Sequence, residues 1–175
     1  MPHKENIIHI IGHIVYVALY GLLIISSIYL YNSAGLIVLL YIGWVVLILG
    51  VAILLISILS RRKGHMLENG VSRETLVESG MYALVRHPEF LGHILIISSL
   101  ILLAQHFISL AIGALLILLL YLAMIEEEKR NIEKFGDAYR DYMRRVPRIN
   151  LLVGIIKQMC SKKKERLKSE QGNMQ

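Results

Sequence analysis

The chain has a single cysteine, Cys160, and almost no charge in its first 60 residues. A lone cysteine excludes a framework of internal disulfides. Of the 19 lysines and arginines, only Lys4 precedes residue 60. No G-x-G-x-x-G pattern occurs after a predicted strand, so a Rossmann-type dinucleotide site is not expected. These absences point away from both a disulfide-stabilised secreted domain and a soluble nucleotide-binding enzyme.

Long apolar segments dominate the sequence instead. Hydrophobic residues make up 55% of the chain, above the roughly 45–50% of soluble domains. The runs Ile7–Leu30 and Leu36–Leu59 contain no Asp, Glu, Lys or Arg, and each exceeds the roughly 20 residues that a transmembrane helix needs. We therefore predict an integral membrane protein whose first apolar run is a retained span, because no small-residue cleavage site follows it.

A third apolar block, residues 90–125, is too long for one ordinary span. Its only polar interruption is "AQHFIS", which predicts a helical hairpin turning near Gln105 and His106. Beyond this block, apolar residues recur at helical spacing and predict an amphipathic helix at the cytoplasmic surface, bent at Gly136 and ending before Pro147. The predicted fold is all-α and polytopic, with about four transmembrane helices plus this C-terminal helix. The apolar face of that helix comprises Ile125, Ile132, Phe135, Tyr139, Tyr142 and Met143.

The distribution of positive charge predicts the orientation. The loop after residue 60 and the C-terminal region carry nearly all the lysines and arginines, whereas "YNSAG" at 31–35 has none. The positive-inside rule then places both termini on the cytoplasmic side. We predict one membrane domain over residues 1–160 and a basic, disordered tail over 161–175 that attracts anionic lipid. Nucleic-acid binding is not expected, since the basic groups flank lipid spans; the oligomeric state is left open.

The stretch Arg86-His87-Pro88 stands at the start of the third apolar block. Proline favours the first position of a helix and an extended residue before it, so we predict a helix that begins at Pro88 with His87 near its cap. The helix start and the two basic side chains would suit a carboxylate or phosphate. Taken alone, these residues are more simply explained as an ordinary positively charged membrane boundary with a proline helix start.

Three carboxylates, Glu126 to Glu128, directly follow the apolar hairpin. They gain nothing from a helix dipole at that position, although the solvated start of a surface helix with a Glu126–Arg130 pair would also explain them. A hairpin brings its two ends to about one interhelical distance, ~8–10 Å. We therefore expect the Arg-His-Pro stretch to face the glutamates and to form one mixed-charge site, which suits a zwitterionic ligand.

Two segments, "ETLVESGMYALVRHPEFLG" and "EEEKRNIEKFGDAYRDYMRRVPR", together resemble the C-terminal half of the isoprenylcysteine carboxyl methyltransferase and phospholipid methyltransferase superfamily. The resemblance covers about residues 73–148. It implies a membrane-embedded methyltransferase that uses S-adenosylmethionine, without a Rossmann domain or a metal. The acceptor would be a lipophilic small molecule or a lipid-linked substrate, and the active site would lie on the cytoplasmic side.

The resemblance also implies a set of site residues. Glu127 would contact the substrate, by hydrogen bonding it or accepting its proton, and His87 would join it in catalysis and receive the cofactor carboxylate together with Arg86. Glu126 and Glu128 would point elsewhere on the helix. The predicted cofactor contacts are Glu74, Thr75, Leu76, Val77, Tyr82, Arg86, His87, Pro88, Glu89 and Phe90.

Two positions depart from the superfamily pattern. Phe90 replaces a frequent tyrosine, and Ala123 stands where prenylcysteine enzymes have the arginine that precedes the key glutamate by four residues. The acceptor could equally be an amine, a phenol-like hydroxyl, a thiol or a lipid headgroup. The alternative function is a non-catalytic membrane binding or assembly protein on the same scaffold. A membrane reductase would need a nicotinamide site, which no residues indicate. His9 and His13 have helical metal-ligand spacing, but no third ligand lies near them in sequence.

Overall fold

The computed structural model describes residues 2–66 and 76–160, and within them it describes the side chains of residues 11–62 and 76–160. All regular structure in these residues is helical, which confirms the predicted all-α class. The elements are α1 (Pro2–Tyr29), α2 (Ile37–Met66), a short 3-10 helix (Gly80–Ala83), α3 (Pro88–Ala104), α4 (Phe107–Phe135), α5 (Asp137–Arg145) and α6 (Leu151–Cys160).

Three helical segments among the described residues are long and apolar enough to cross a membrane: Ile11–Tyr29, Ile37–Arg62 and Phe107–Phe135. At most 28% of any of them is buried within the protein, so most of their apolar surface is available to lipid. The apolar helix α3, with 17 residues, is shorter. At 1.5 Å per residue it is about 25 Å long, somewhat less than the hydrocarbon core. The protein is membrane-embedded and polytopic, as predicted.

The chain forms two compact units. Unit 1 comprises Met1–Ala52 and Gly92–Glu126, and unit 2 comprises Ile53–Leu91 and Glu127–Gln175.

Small residues allow the helices of unit 1 to approach closely. A methyl group added at Gly43 of α2 would lie 3.0 Å from the side chain of Leu103 in α3. One added at Gly113 of α4 would overlap the side chain of Ile101 on α3. Close backbone approach through glycine is a main source of helix association where both helices face lipid.

Serines add polar contacts between the same helices. The hydroxyls of Ser26 and Ser109 lie 2.9 Å apart and join α1 to α4. Ser27 donates to the carbonyl of Leu100 over 3.1 Å and joins α1 to α3. Interhelical hydrogen bonds of this kind favour one packing arrangement of apolar helices.

The two helix-connecting turns of unit 1 are hydrogen-bonded to each other. The predicted hairpin turn is confirmed, because α3 ends at Ala104, α4 begins at Phe107 and Gln105 has a left-handed φ of 54°. The Gln105 side chain accepts a hydrogen bond from the backbone N–H of Leu36 over 2.8 Å and donates to the Leu36 carbonyl over 2.9 Å. It thereby satisfies backbone groups at the start of α2.

The C-terminal helical region begins differently from the prediction. The amphipathic part is not a separate helix after Ile125, because α4 continues without a break to Phe135. The bend at Gly136 is confirmed by its φ of 58°, and α5 ends at Arg145, before Pro147, as predicted. In unit 2 the residues of the predicted apolar face other than Ile125 pack in one cluster, together with two residues that were not predicted to be part of it, Val146 and Leu76. The cluster comprises Tyr139, Tyr142 and Val146, with Leu76, Ile132, Phe135 and Met143 around them.

Candidate functional site

The candidate site lies in unit 2 at the start of α3. That helix begins at Pro88, as predicted, because proline has no N–H to lose at the first helical position. The two preceding residues pair with a distant segment. The backbone N–H of Arg86 donates to the carbonyl of Pro147 over 2.9 Å, and that of His87 donates to the carbonyl of Arg148 over 3.1 Å. These bonds hold residues 147–148 beside the Arg-His-Pro stretch.

Glu128 is the centre of charge in the site. Its side chain is only 6% exposed, and its carboxylate receives a two-pronged contact from Arg148, with Nε to Oε1 at 3.1 Å and Nη2 to Oε2 at 2.6 Å. Arg86 Nη1 forms an ion pair with Oε1 at 3.1 Å. A buried carboxylate is tolerated only with such compensation, so Glu128 is ionised and fully engaged.

His87 is buried between two carboxylates. Its side chain is 2% exposed, Nε2 lies 3.3 Å from Glu128 Oε1, and Nδ1 lies 4.0 Å from Glu127 Oε1. Burial lowers the pKa of His87 to about 4; Glu128 opposes this shift, while Arg86 and Arg148 reinforce it. The imidazole is therefore neutral at pH 7, because burial disfavours its charged form and the two arginines already compensate the nearest carboxylate.

Glu127 differs from Glu128 in its surroundings. A third of its side chain is exposed, and its separation of 4.0 Å from His87 Nδ1 is too long for a hydrogen bond. It lies within electrostatic range of Arg61 and Arg130, and also of Glu89. Glu127 is thus the acidic group of the site that remains open to an incoming molecule.

A second polar group within unit 2 joins α2 to the start of α3. Arg61 forms an ion pair with Glu89 at 2.8 Å and donates from Nε to the Tyr82 hydroxyl over 3.1 Å. Tyr82 in turn donates to Glu89 over 3.0 Å. Burial raises the pKa of Tyr82 to about 12, so the hydroxyl keeps its proton at physiological pH. The Arg61 side chain is 47% exposed, which leaves a cation accessible beside an acid and an aromatic ring.

The predicted cofactor residues have different fates in the structure. Glu74 and Thr75 lie outside the described residues. Leu76 packs on the Tyr139–Tyr142–Val146 cluster, and Val77 is partly buried. Phe90 lies with its ring edge-on to His87, 5.5 Å between centroids.

The predicted anion seat formed by Arg86 and His87 is occupied within the chain. Both side chains contact Glu128, so this part of the prediction is corrected: the two basic groups already compensate a carboxylate of the protein. The prediction that Glu128 points away from the site is wrong for the same reason. Successive helical residues are about 100° apart, and both Glu127 and Glu128 lie close enough to approach the imidazole from two sides. Glu126 is exposed.

Two residues of the site, Arg61 and Arg148, were not predicted from the sequence; Glu128 was predicted to lie in the glutamate cluster, but with the wrong orientation. Arg61 belongs to a basic group that the positive-inside rule already explained. Arg148 directly follows Pro147, and a proline at this position indicates only the end of a helix. The only sequence signal for either was an arginine adjacent to an apolar segment, and that signal is shared by most membrane boundaries.

Comparison with known protein families gives a match over most of the chain. A family model for proteins of unknown function, DUF1295, matches residues 3–146. The chain belongs to the DUF1295 family. This is a family of membrane proteins, in agreement with the three apolar spans. No curated protein and no solved structure matches the chain.

Proposed function

We propose that the protein is a membrane-embedded, S-adenosylmethionine-dependent methyltransferase that acts on a lipophilic acceptor. The observation that carries the proposal is the position of His87 against Glu127 and Glu128, 4.0 and 3.3 Å away. The histidine and the glutamates come from the two segments that resemble membrane methyltransferases. A shared catalytic role requires these residues to lie together in one site. Separate structural roles would not require it.

The residues of the site fit the chemistry of the cofactor. S-adenosylmethionine carries a carboxylate, an ammonium group, a sulfonium and an adenosine, and when bound it supplies an electrophilic methyl group. Arg61 would hold the carboxylate, and Glu89 the ammonium group. The ring of Tyr82, with Arg61 6.0 Å from its centroid, would lie beside the adenosine. Arg61 and Glu89 carry opposite charges 2.8 Å apart, and Arg61 is the more exposed of the two. A zwitterionic amino-acid group could form one charge-assisted contact with each of them.

The protein's own groups would act mainly by position. Glu127 and His87 would orient the acceptor, and the apolar surface of the spans would admit it from the bilayer. Orientation of two reactants supplies a large part of the acceleration available to a group-transfer enzyme. We place this site on the cytoplasmic side because the basic residues concentrate in the segments that contain it.

Transfer of an isotopically labelled methyl group tests the proposal. Membranes containing the protein are incubated with labelled S-adenosylmethionine and then extracted with organic solvent. We expect label in the lipid extract with the wild type and with the matched control Glu126→Gln. Glu127→Gln should reduce it about 100-fold or more, the range lost with a general base. No labelling above membranes lacking the protein would overturn the proposal, and equal labelling by wild type and Glu127→Gln would remove Glu127 from the catalytic site.

One observation favours a non-catalytic binding or assembly protein as the second candidate. Arg86, His87 and Arg148 all contact Glu128, so the cluster compensates a buried carboxylate without any ligand. Saturable binding of S-adenosylmethionine with no labelled product in any lipid fraction would favour this candidate.

A further inference from the structure

We propose that Glu128 holds His87 in the Nε2–H tautomer, so that His87 Nδ1 and Glu127 form a two-acceptor seat for a hydrogen-bond-donating methyl acceptor: an amine, a hydroxyl or a thiol. This inference rests on the proposed function for the identity of the reaction. The geometry of the seat does not depend on it.

The tautomer follows from the groups around Glu128. Arg148 donates two hydrogen bonds to its carboxylate and Arg86 pairs with Oε1, so the carboxylate is ionised and can only accept. His87 Nε2 lies 3.3 Å from that oxygen. Two acceptors do not form a hydrogen bond, so the proton must be on Nε2. Glu128 is therefore a positioning residue, in the same sense that a carboxylate fixes the tautomer of a catalytic histidine.

The other ring nitrogen then carries a lone pair. Burial favours the neutral state of the ring most strongly; Glu128 opposes this effect, and the cations Arg86 and Arg148 reinforce it. Opposite Nδ1 stands Glu127 Oε1, 4.0 Å away. Both atoms are acceptors, and the distance between them exceeds a hydrogen bond. A hydrogen-bond donor placed between the two atoms would satisfy both of them. A third of the Glu127 side chain is exposed, so a donor can enter from that side of the site.

The seat provides acceptors for the proton that the substrate heteroatom loses during methyl transfer. The acceptor heteroatom forms its bond to the methyl carbon as the carbon–sulfur bond of a sulfonium donor breaks. The sulfur leaves with that bond's electron pair as a neutral thioether, and the heteroatom's proton passes to His87 Nδ1 or Glu127. No further oxidant, reductant or metal is needed for this balance.

The seat also defines the class of acceptor. A substrate carboxylate would bring a third acceptor and a second negative charge against His87 Nδ1 and Glu127, which is unfavourable in a partly buried site. An N–H, O–H or S–H group would instead bridge them. The proposed function adds that the rest of the molecule is lipophilic, because the acceptor comes from the bilayer that the exposed apolar helices face.

Nitrogen NMR of the histidine rings tests the tautomer directly and needs no cofactor. The full-length protein, labelled with ¹⁵N-histidine, is studied in lipid nanodiscs at pH 7, and the His87 signals are identified by their loss in His87→Gln. We expect Nε2 protonated and Nδ1 bare. The Glu127→Gln variant should keep this tautomer, whereas Glu128→Ala should populate the Nδ1–H form. A wild-type ring protonated on Nδ1, or on both nitrogens, would overturn the proposal, and this readout is taken on the wild-type protein.

Binding of three probes of equal chain length tests the substrate class. Dodecanol, methyl dodecyl ether and dodecanoate are titrated into the nanodiscs while the His87 Nδ1 shift is followed. We expect a saturable shift of the His87 Nδ1 signal with dodecanol. The shifts with the ether and with the carboxylate should be at least about 10-fold smaller. Glu127→Gln should weaken the dodecanol response and the exposed control Glu126→Gln should not. An equal or larger response to dodecanoate would overturn the proposed acceptor class.

The two proposals can fail separately. Label transfer with a histidine protonated on Nδ1 would support the methyltransferase and reject the seat. The expected tautomer and dodecanol response without any label transfer would support the seat and reject the methyltransferase.

Discussion

Tyr142 donates its hydroxyl hydrogen to the backbone carbonyl of Tyr82 over 2.7 Å, between residues 60 positions apart. Both side chains are buried. Burial raises the pKa of the Tyr142 hydroxyl, so it remains a donor throughout the physiological range. The bond connects α5 to the short 3-10 helix that contains Tyr82. The hydroxyl of Tyr82 contacts Arg61 and Glu89. The position of the proposed cofactor contacts thus depends on a helix that itself contributes no group to them.

Removal of that hydroxyl should destabilise the protein. Tyr142→Phe leaves the Tyr82 carbonyl buried without its donor, which costs about 1–3 kcal/mol. Thermal unfolding in detergent micelles measures the effect. Tyr29→Phe is the matched control, because Tyr29 is 85% exposed and should change nothing. An unchanged midpoint in Tyr142→Phe would show that the bond does not fasten α5.

Substitution of Glu128 should mainly reduce the stability of the protein, whereas substitution of Glu127 should mainly reduce its activity. Glu128→Gln weakens the compensation of Arg86 and Arg148 and should lower the free energy of unfolding by about 3 kcal/mol or more, as expected for a broken buried ion pair. Glu127→Gln should change stability by less than about 1 kcal/mol, because Glu127 is partly exposed, yet abolish label transfer. Unfolding of both variants is compared by detergent titration. An equal loss of stability in the two would contradict the distinct roles assigned to them.

Acid should destabilise the protein through His87. Its pKa is about 4 in the folded state, against 6.5 as the unperturbed value. Above pH 6.5 the imidazole is neutral in both states and the contribution is fully present. As the pH falls below 6.5 the unfolded state gains a proton that the folded state does not, so stability is lost, by about 3 kcal/mol when pH 4 is reached.

The comparison with His87→Gln isolates this effect from the titration of the carboxylates. The unfolding midpoint of the wild type should fall more steeply between pH 6.5 and pH 5 than that of the variant, since the variant lacks the titrating ring. Parallel pH profiles would show that His87 is not held neutral by its surroundings.

Arg61 should control cofactor affinity without controlling the fold. Arg61→Gln removes the charge that faces Glu89 and Tyr82, and we expect about a 10-fold or greater loss of S-adenosylmethionine binding, consistent with one charge-assisted contact. The adjacent Arg62→Gln is the matched control, because Arg62 is also exposed. Filter binding to nanodiscs measures both. Equal affinity in the two variants would remove Arg61 from the site.

Gly154 should not tolerate a side chain. A Cβ at this position of α6 would overlap the backbone carbonyl of Leu84, and backbone cannot move aside as a side chain can. Gly154→Ala should therefore lower the unfolding midpoint and weaken the packing of α6 on the loop before Arg86. Gly21→Ala is the control, since nothing lies within 4 Å of a Cβ at Gly21; there alanine should be neutral or stabilising by up to about 1 kcal/mol. A stable Gly154→Ala would mean that α6 does not approach Leu84 closely.

The sequence by itself determined the features that depend on local chemistry and on the lipid environment. Uncharged apolar runs predict spans because unpaired backbone groups are too costly in lipid. Pro88 predicts the start of α3 because its ring suits only a first helical turn. The interruption at Gln105 and the glycine at 136 predict two of the places where the chain turns between helices. Each of these inferences needs only residues close together along the chain, and each agrees with the structure.

Only the tertiary structure decided which charged side chains meet. A helix turns by about 100° per residue, so the rotation of α4 determines whether Glu127 or Glu128 reaches Arg86 and Arg148. That rotation is fixed by packing along the whole helix and cannot be read from three consecutive glutamates. The same holds for Arg61, which reaches Tyr82 and Glu89 from a different helix. These pairings, together with the neutral state of His87, depend on burial and on distant partners, and local sequence patterns specify neither.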